Sequence, residues 1–469
     1  IARDPLAAVG SARAPAGLAA PQALFGDGRR NSMGFDLADE QTLARIEAAR
    51  SVSVPDAGPL TVSPPTGAQR PVLNPATQEV VAQVTEADPE TVARAIADAA
   101  PWDAPAADRA AVLRAAADLY ERNFGEIFAA LAREAGKTLP DAVGELREAV
   151  DFLRYYAAEG EAVTGRPRGI IAAISPWNFP LAIFSGQIAA ALMAGNAVLA
   201  KPAEQTPLIA AIAVRLLHEA GVPRSALQLL PGEGGTVGAA ITSDPRLGGV
   251  VFTGSTATAQ TIARAMADNL APGAPLIAET GGLNAMVVDS TALPEQAVRD
   301  IVASSFRSAG QRCSALRCLY VQEDNAPHLI RMIAGAMDEL RVGDPWRLAT
   351  DVGPVIDAEA QAEIAGYVAA RGNRVIHRLA VPRAGHFVAP AMIRVAGIGD
   401  LDREIFGPVL HVATFPAERL DQVVADVNAR GYGLTFGLHT RIDGRVQEIT
   451  DAVHAGNIYV NRNQIGAVV

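Results

Sequence analysis

Cysteine is nearly absent: the 469 residues contain two, Cys313 and Cys318. Two cysteines five positions apart exclude a disulfide framework, and no other Cys/His cluster has zinc-ligand spacing. The expectation is therefore a reducing, cytoplasmic setting and no metal. Basic residues are also short, with 40 Lys+Arg against 51 Asp+Glu and a net charge of −11. That argues against nucleic acid or an anionic membrane as a partner, since both need a basic surface. Long apolar runs are missing. Leu181–Ala194 contains Gly, Gln and Ser and is too short to span a bilayer. The first residues, Ile-Ala-Arg-Asp-Pro, include neither Met nor a signal-type apolar region, and read as the start of a fragment.

What is present is globular: 49% hydrophobic and 19% charged residues, with length for about two to four domains. Residues 1–70 are rich in Pro, Gly, Ala and Ser and suit an arm lying on a larger body. Within them a helix is expected over Leu37–Arg50, capped by Asp36. Val72 to Val84 reads as strand, turn, strand. Helical periods follow over Asp88–Ala100, Ala106–Glu134 and Asp141–Ala158. From Gly169 short apolar strands alternate with helices, including one expected over Gly235–Thr242. Such alternation implies a parallel, doubly wound α/β sheet, which binds nucleotides at the carboxyl ends of its strands.

Six short stretches carry chemistry. Gly310-Gln-Arg-Cys313 puts a thiol at a turn beside Arg312. Peptide N–H groups and that cation can hold it partly as thiolate; the alternative is a small buried hydrophobe. Phe252-Thr-Gly-Ser-Thr256 ends a strand and opens a helix. Gly254 and Ser255 can meet a phosphate there, or form a plain strand–helix turn. Lys201-Pro-Ala-Glu204 can hold two ribose hydroxyls, or be a solvated salt bridge. In Pro176-Trp-Asn-Phe-Pro180, Asn178 is a rigid amide donor suited to an oxyanion, or an ordinary turn residue. Glu279-Thr-Gly-Gly282 presents a carboxylate on a loop able to swing, as a general base needs, or an exposed glutamate. In Glu404-Ile-Phe-Gly-Pro408 the acid and the ring of Phe406 can grip a sugar and a flat ring, or be a surface acid and a packed Phe.

Taken in order, these six stretches resemble the successive motifs of the aldehyde dehydrogenase superfamily, from about Val72 to the C-terminus. Ala278-Glu-Thr-Gly-Gly-Leu-Asn-Ala, Ser308-Ala-Gly-Gln-Arg-Cys-Ser-Ala-Leu-Arg and Asn461-Arg-Asn-Gln-Ile-Gly resemble, more narrowly, the L-glutamate γ-semialdehyde dehydrogenase modules of the bacterial proline utilization A family. The resemblance implies a Rossmann-type NAD-binding domain over 71–278 with a return segment at about 435–460, a catalytic domain over 279–434, and a substrate-anchor loop over 461–469. It implies Cys313 as nucleophile, Glu279 as base and Asn178 as oxyanion donor. It assigns NAD to Lys201, Glu204, Gly254, Ser255, Trp177, Glu404 and Phe406, and the substrate carboxylate to Ser314, Gly466 and Ala467. Arg312 is a further candidate for that carboxylate on its charge; the alternative is a structural ion pair.

The implied reaction is oxidation of glutamate γ-semialdehyde to glutamate, with a dehydrogenase for another aldehyde, or an NAD-binding module without turnover, as alternatives. A proline dehydrogenase domain is the implied partner in the full-length family. Residues 158–168 are short where the family carries a β-flap, and the chain stops at Val469; both count against family-type dimerisation. Ala259 stands where the family's pyrophosphate turn usually has Gly.

Overall fold

The computed structural model describes residues 17–26 and 28–466. Helix α1 (Glu40–Arg50) starts later than expected: Asp39 caps it, accepting from the Gln41 and Thr42 N–H groups, while Asp36 accepts from Ala38 N–H in the preceding turn. Around α1, the stretch Asn31–Met33 is pinned to the body. Asp151 accepts from both the N–H and the hydroxyl of buried Ser32 at 2.7 Å each, and Glu121 accepts from Met33 N–H at 2.6 Å. A two-stranded antiparallel hairpin follows, β1 (Gln69–Leu73) and β2 (Val80–Thr85).

Helix α2 (Pro89–Asp98) is capped by Asp88. The helical period expected over 106–134 splits into α3 (Ala106–Arg122) and α4 (Phe124–Glu134). Asn123 breaks it, leaving helical geometry (ψ 22°) and turning its own amide onto the Leu119 carbonyl at 2.8 Å. Helix α5 runs from Leu139 to Gly160.

The first sheet is five-stranded and parallel, in the order β5 (Leu227–Leu229), β4 (Ala197–Lys201), β3 (Ile170–Ile174), β6 (Leu247–Thr253), β7 (Leu276–Glu279). Its central strands are almost wholly apolar up to their carboxyl ends because both faces are covered. Ile171, Ala173, Val198 and Ala200 pack on a core shared with α3 to α5, α6 (Ala182–Met193) and α7 (Pro207–Ala220). Their neighbours Ile170, Ala172, Ala197 and Leu199 pack on the opposite core with α2, α8 (Ala239–Thr242) and α9 (Thr256–Asn269). The expected helix over 235–242 is a π turn at Gly234–Gly238 run into α8. Two buried carboxylates cap the first-face helices from outside their own sequence. Glu145 accepts from Leu181 and Ala182 N–H at the start of α6, and Glu134 from Leu208 and Ile209 N–H at the start of α7.

The second sheet has seven strands in the order β10 (Val375–Arg378), β11 (Ala391–Arg394), β12 (Val409–Phe415), β9 (Cys318–Gln322), β8 (Ala285–Val288), β13 (Thr435–His439), β14 (Asn457–Val460). All pairs are parallel except β10 with β11. Helices α10 (Pro294–Phe306), α11 (Ala326–Asp338) and α12 (Ala358–Ala370) cover one face; α13 (Leu420–Asn428) and α14 (Asp443–Ala452) cover the other. Contrary to the expectation of a return segment, 435–460 does not rejoin the first sheet. Phe436 and Leu438 pair beside β8 and bury against Ala285, Val287, Cys318 and Tyr320, so their apolar faces close the second core instead.

Candidate active site

Strand polarity decides where the six stretches go. At the carboxyl edge of the first sheet, β3 runs into Trp177–Asn178, β4 ends at Lys201, β6 runs into Gly254–Ser255 and β7 ends at Glu279. In the second sheet the order is reversed: Gly281–Gly282 lead into β8, Cys313 precedes β9 and Glu404–Phe406 precede β12. The carboxyl edge of one sheet thus faces the amino edge of the other. Two contacts bridge them, and a third ties two loops of the second sheet together. Asn178 Nδ2 donates to the Gln311 carbonyl at 3.2 Å, the Trp177 and Phe406 rings meet edge-on at 5.5 Å, and Gly282 N–H donates to Glu404 Oε2 at 3.2 Å.

The thiol turn is unusual in its backbone. After α10, Ser308 (φ 56°) and Ala309 (φ 53°) are both left-handed, followed by Gly310 (φ 68°). Each of the two non-glycine residues costs about 1–2 kcal/mol in that conformation, so the surroundings must hold them. Lys137 Nζ donates to Ser308 Oγ at 3.2 Å and to the Asn178 carbonyl. Gln311 Nε2 donates to the Ser308 and Pro354 carbonyls, and its Oε1 accepts from Ile356 N–H. Gly310 is required twice over: its φ is positive, and a Cβ would strike the Gly407 carbonyl.

Cys313 is half-buried at the end of this turn, its carbonyl held by Asn284 Nδ2 at 2.6 Å. Burial pushes its thiol pKa up and the Glu404 carboxylate adds to that, against the Ser314 N–H and Arg312. This corrects the expectation that the turn and Arg312 alone hold a thiolate: the net direction favours the protonated thiol. Cys318 is fully buried in the second core, with its pKa raised further by burial.

Buried Asn178 lies against the same turn through Gln311. Glu279 is exposed at the end of β7, its carbonyl accepting from Gly254 N–H at 3.1 Å. Buried Lys201 donates to Glu204 Oε1 at 3.1 Å, and Gly234 N–H donates to the same oxygen. Burial works against the Glu204 carboxylate, but Lys201 and backbone N–H groups, Gly234's among them, together hold its pKa below the ordinary value. Ser255 caps α9, its hydroxyl accepting from Thr258 N–H at 3.1 Å, while Ala259 packs inward on the core.

Glu404 is not a free acid. Arg317 Nη2 and Nε donate to its Oε1 at 2.9 and 3.2 Å, and Arg317 lies 5.2 Å from the Phe406 ring. Burial raises the Glu404 pKa, opposed by Arg317. Gly281 gives this carboxylate room, since a Cβ there would meet Glu404 Oε2.

Half-buried Ser314 adjoins the 464–466 stretch: Gln464 Nε2 donates to its carbonyl at 3.3 Å, and Arg312 Nη1 donates to the Ile465 carbonyl at 3.2 Å. Gly466 ends that stretch, and Ala467 lies outside the described residues. Arg312 itself is paired, its Nη2 sitting 2.7 Å from Asp141 Oδ1, which Arg307 also contacts at 2.8 Å. Burial works against the Asp141 carboxylate, but Arg312 and Arg307 bring its pKa down to about 2. The structural ion pair is therefore the arrangement seen for Arg312, in place of a free cation awaiting a carboxylate. Lys137, Arg317, Asn284 and Gln464 went unassigned at the level of sequence. Their signal is tertiary: a lysine after Gly136 and an arginine before β9 look like surface cations until the chain is closed around them.

Comparison with known proteins agrees with this geometry. Residues 62–469 match the aldehyde dehydrogenase family. The chain is 50% identical over 476 residues to the bifunctional protein PutA of Escherichia coli, covering 96% of this chain and 36% of that protein. It therefore spans little more than a third of that relative. It is 36% identical over 433 residues to the 1-pyrroline-5-carboxylate dehydrogenase of Geobacillus kaustophilus, covering 85% and 82%. Among solved structures, proline utilization A from Bradyrhizobium japonicum superposes with a TM-score of 0.88 at 46% identity, covering 97% and 46%. A 1-pyrroline-5-carboxylate dehydrogenase from Thermus with bound NAD gives 0.86 at 30% identity, covering 94% and 92%. In motif order, in two-sheet architecture and over most of its length, the chain belongs to the aldehyde dehydrogenase family.

Proposed function

We propose that this chain oxidises L-glutamate γ-semialdehyde to L-glutamate with NAD, the second step of proline breakdown. The observation that carries the reading is the bridge between sheets, where the Asn178 amide rests on the carbonyl two residues before Cys313, while Ser314 adjoins the 464–466 stretch. An aldehyde carbon beside Cys313 Sγ has an amide donor on one side and a backbone-rich loop for a carboxylate on the other.

Burial favours the protonated Cys313 thiol, so before attack the thiol gives its proton to water and Sγ becomes the thiolate nucleophile. Sγ then adds to the aldehyde carbon. Asn178 Nδ2 and Cys313 N–H hold the oxyanion, and losing one such donor typically costs roughly a hundred- to a thousandfold in rate. NAD, when bound, accepts the hydride. Glu279, exposed at the end of β7 just before Gly281-Gly282, activates the water that hydrolyses the Cys313 thioester.

The residues present fit NAD. Lys201 and Glu204 offer a donor and an acceptor at adjacent positions for ribose hydroxyls, and the glycines 234 and 238 leave space beside them: a Cβ would come within 3.3 Å of Glu204 Oε1 and 3.5 Å of Lys201 Cδ. Ser255 and Gly254 open α9 toward a pyrophosphate, and Glu404, Phe406 and Trp177 face the nicotinamide end. The names of the 1-pyrroline-5-carboxylate dehydrogenase relatives support the substrate, and the Thermus structure with bound NAD supports the cofactor. We assign residues 71–278 to cofactor binding and 279–460 to catalysis, joined in the full-length protein to a proline dehydrogenase domain.

A second reading, a dehydrogenase for a simple alkyl aldehyde, is separated by one assay. NADH formation is followed with glutamate semialdehyde and with an alkyl aldehyde of similar length, and Cys313→Ala is the control. Preference for the carboxylate-bearing aldehyde and no turnover by Cys313→Ala are expected. Turnover retained without Cys313 sinks the mechanism; equal rates on both aldehydes sink the substrate.

A further inference from the structure

Arg317 has a place no motif assigns it. It sits four residues after Cys313, just before β9, and is 1% exposed. Its guanidinium divides its donors between two chain segments. Nη1 donates to the Gly310 carbonyl at 2.8 Å and the Gly407 carbonyl at 3.2 Å; Nη2 donates to the Arg312 carbonyl at 3.0 Å; Nη2 and Nε donate to Glu404 Oε1. The Gly310 and Arg312 carbonyls flank the thiol turn. Gly407 and Glu404 belong to the segment leading into β12. Through Glu404 Oε2 and Gly282 N–H, the same network reaches the loop that carries Glu279.

We propose that Arg317 is a positioning residue that sets the Cys313 turn and the Glu404 carboxylate relative to each other. The proposal rests on the reading of Cys313 as nucleophile and Glu404 as a cofactor contact. A planar fork is needed because the four acceptors are divided between two loops; a lysine concentrates its three donors on one atom and cannot span them. The turn contains two left-handed non-glycine residues, so it relaxes when an anchor goes. Lys137 and Gln311 hold its Ser308 end, and Arg317 alone of the described side chains ties Gly310 and Arg312 to Glu404.

The test reads geometry without turnover. Cofactor-free protein is alkylated with iodoacetamide across pH, the modified cysteine is identified by peptide mass spectrometry, and the rate at the alkaline plateau is compared, so that a shifted thiol titration is not mistaken for a moved thiol. NAD affinity is measured by calorimetry. Arg317→Lys is expected to change the plateau rate and to weaken NAD binding, each by roughly fivefold or more, the size of about one lost hydrogen bond. Glu404→Gln leaves Arg317 on the Gly310 and Arg312 carbonyls. It is expected to weaken NAD while keeping the plateau rate within roughly twofold of the parent. A plateau rate unchanged in Arg317→Lys, or changed equally by both variants, overturns the proposal.

If Arg317→Lys shows no cooperative melt, the pair Arg317→Met/Glu404→Met replaces it, because exchanging a buried ion pair for apolar residues is commonly tolerated. The same plateau comparison then decides. A parent protein that alkylates at Cys313 but forms no NADH from aldehyde refutes the function proposed above and leaves this comparison intact.

Discussion

Lys137 is where stability, pH and the site geometry can be separated in one experiment. The side chains of Lys137 and Glu145 are 3% and 1% exposed, with Nζ and Oε1 3.4 Å apart. Lys137→Met removes the cation and leaves Glu145 buried among the N–H groups of Leu181 and Ala182. Removing one partner of a buried pair typically costs about 3–5 kcal/mol. The loss depends on pH with a definite sign. Burial already raises the Glu145 pKa above its ordinary value, and Lys137 is the largest of the groups that oppose it, ahead of the Ala182 N–H, Arg312 and the Leu181 N–H. Without Lys137 the folded-state pKa rises further above the unfolded one, so stability falls as pH rises between them. Lys137→Met is therefore expected to lose close to the full amount at pH ~8 and clearly less near pH ~5. Lys137→Met/Glu145→Gln, which keeps an amide oxygen for the two helix N–H groups, is expected to recover at least about 1 kcal/mol at the higher pH. Urea unfolding at both pH values measures this. A loss that is equal at the two pH values, or greater in acid, refutes the reasoning, as does a double variant no more stable than the single.

Three further outcomes follow from the geometry. Asn178→Ala is expected to lower kcat roughly a hundred- to a thousandfold with little change in NAD affinity; a fall in steady-state rate below tenfold contradicts the oxyanion role. Gly281→Ala places a methyl against Glu404 Oε2, and overpacking of about 1–3 kcal/mol predicts NAD binding weakened roughly tenfold or more, checked by calorimetry. Fully buried His411 donates from Nδ1 to the Arg317 carbonyl at 2.8 Å and accepts at Nε2 from Tyr367, and burial pulls its pKa down to about 4. The unfolded chain then binds a proton that the folded chain refuses, so stability is lost as pH falls from about 6.5 towards 4. His411→Asn is expected to flatten that part of the pH–stability curve, and an unchanged acid slope speaks against a neutral His411.

The strand ends were legible because short apolar runs stop at residues with distinctive chemistry, such as Lys201 after Ala197-Val-Leu-Ala or Ser255 after Phe252-Thr-Gly. Local rules also gave Asp88 and Ser255 their place at helix starts. What failed was whatever depends on distant partners. Asp36 and Asp39 both have the chemistry of a cap, and only chain geometry chooses Asp39. Phe436 and Leu438 suit either sheet by pattern, and the second core claims them. Arg312 looked like a free cation because Asp141, the residue that engages it, lies 171 positions away. Cys313 looked activated because a sequence shows the neighbouring arginine but not the burial.

The meeting of the two sheets has a consequence for how the protein fails. Leu181, Ile171 and Ala173, which support Asn178, belong to one hydrophobic core, whereas Phe306, Ala309 and Leu316, which support the Cys313 turn, belong to another. Neither core contains a complete set of reacting groups. Loosening either one on mild heating separates amide from thiol while most secondary structure survives. The proposed aldehyde turnover is then expected to disappear at a lower temperature than the circular dichroism of the helices, and its return on cooling to report that the two sides of the site have re-docked.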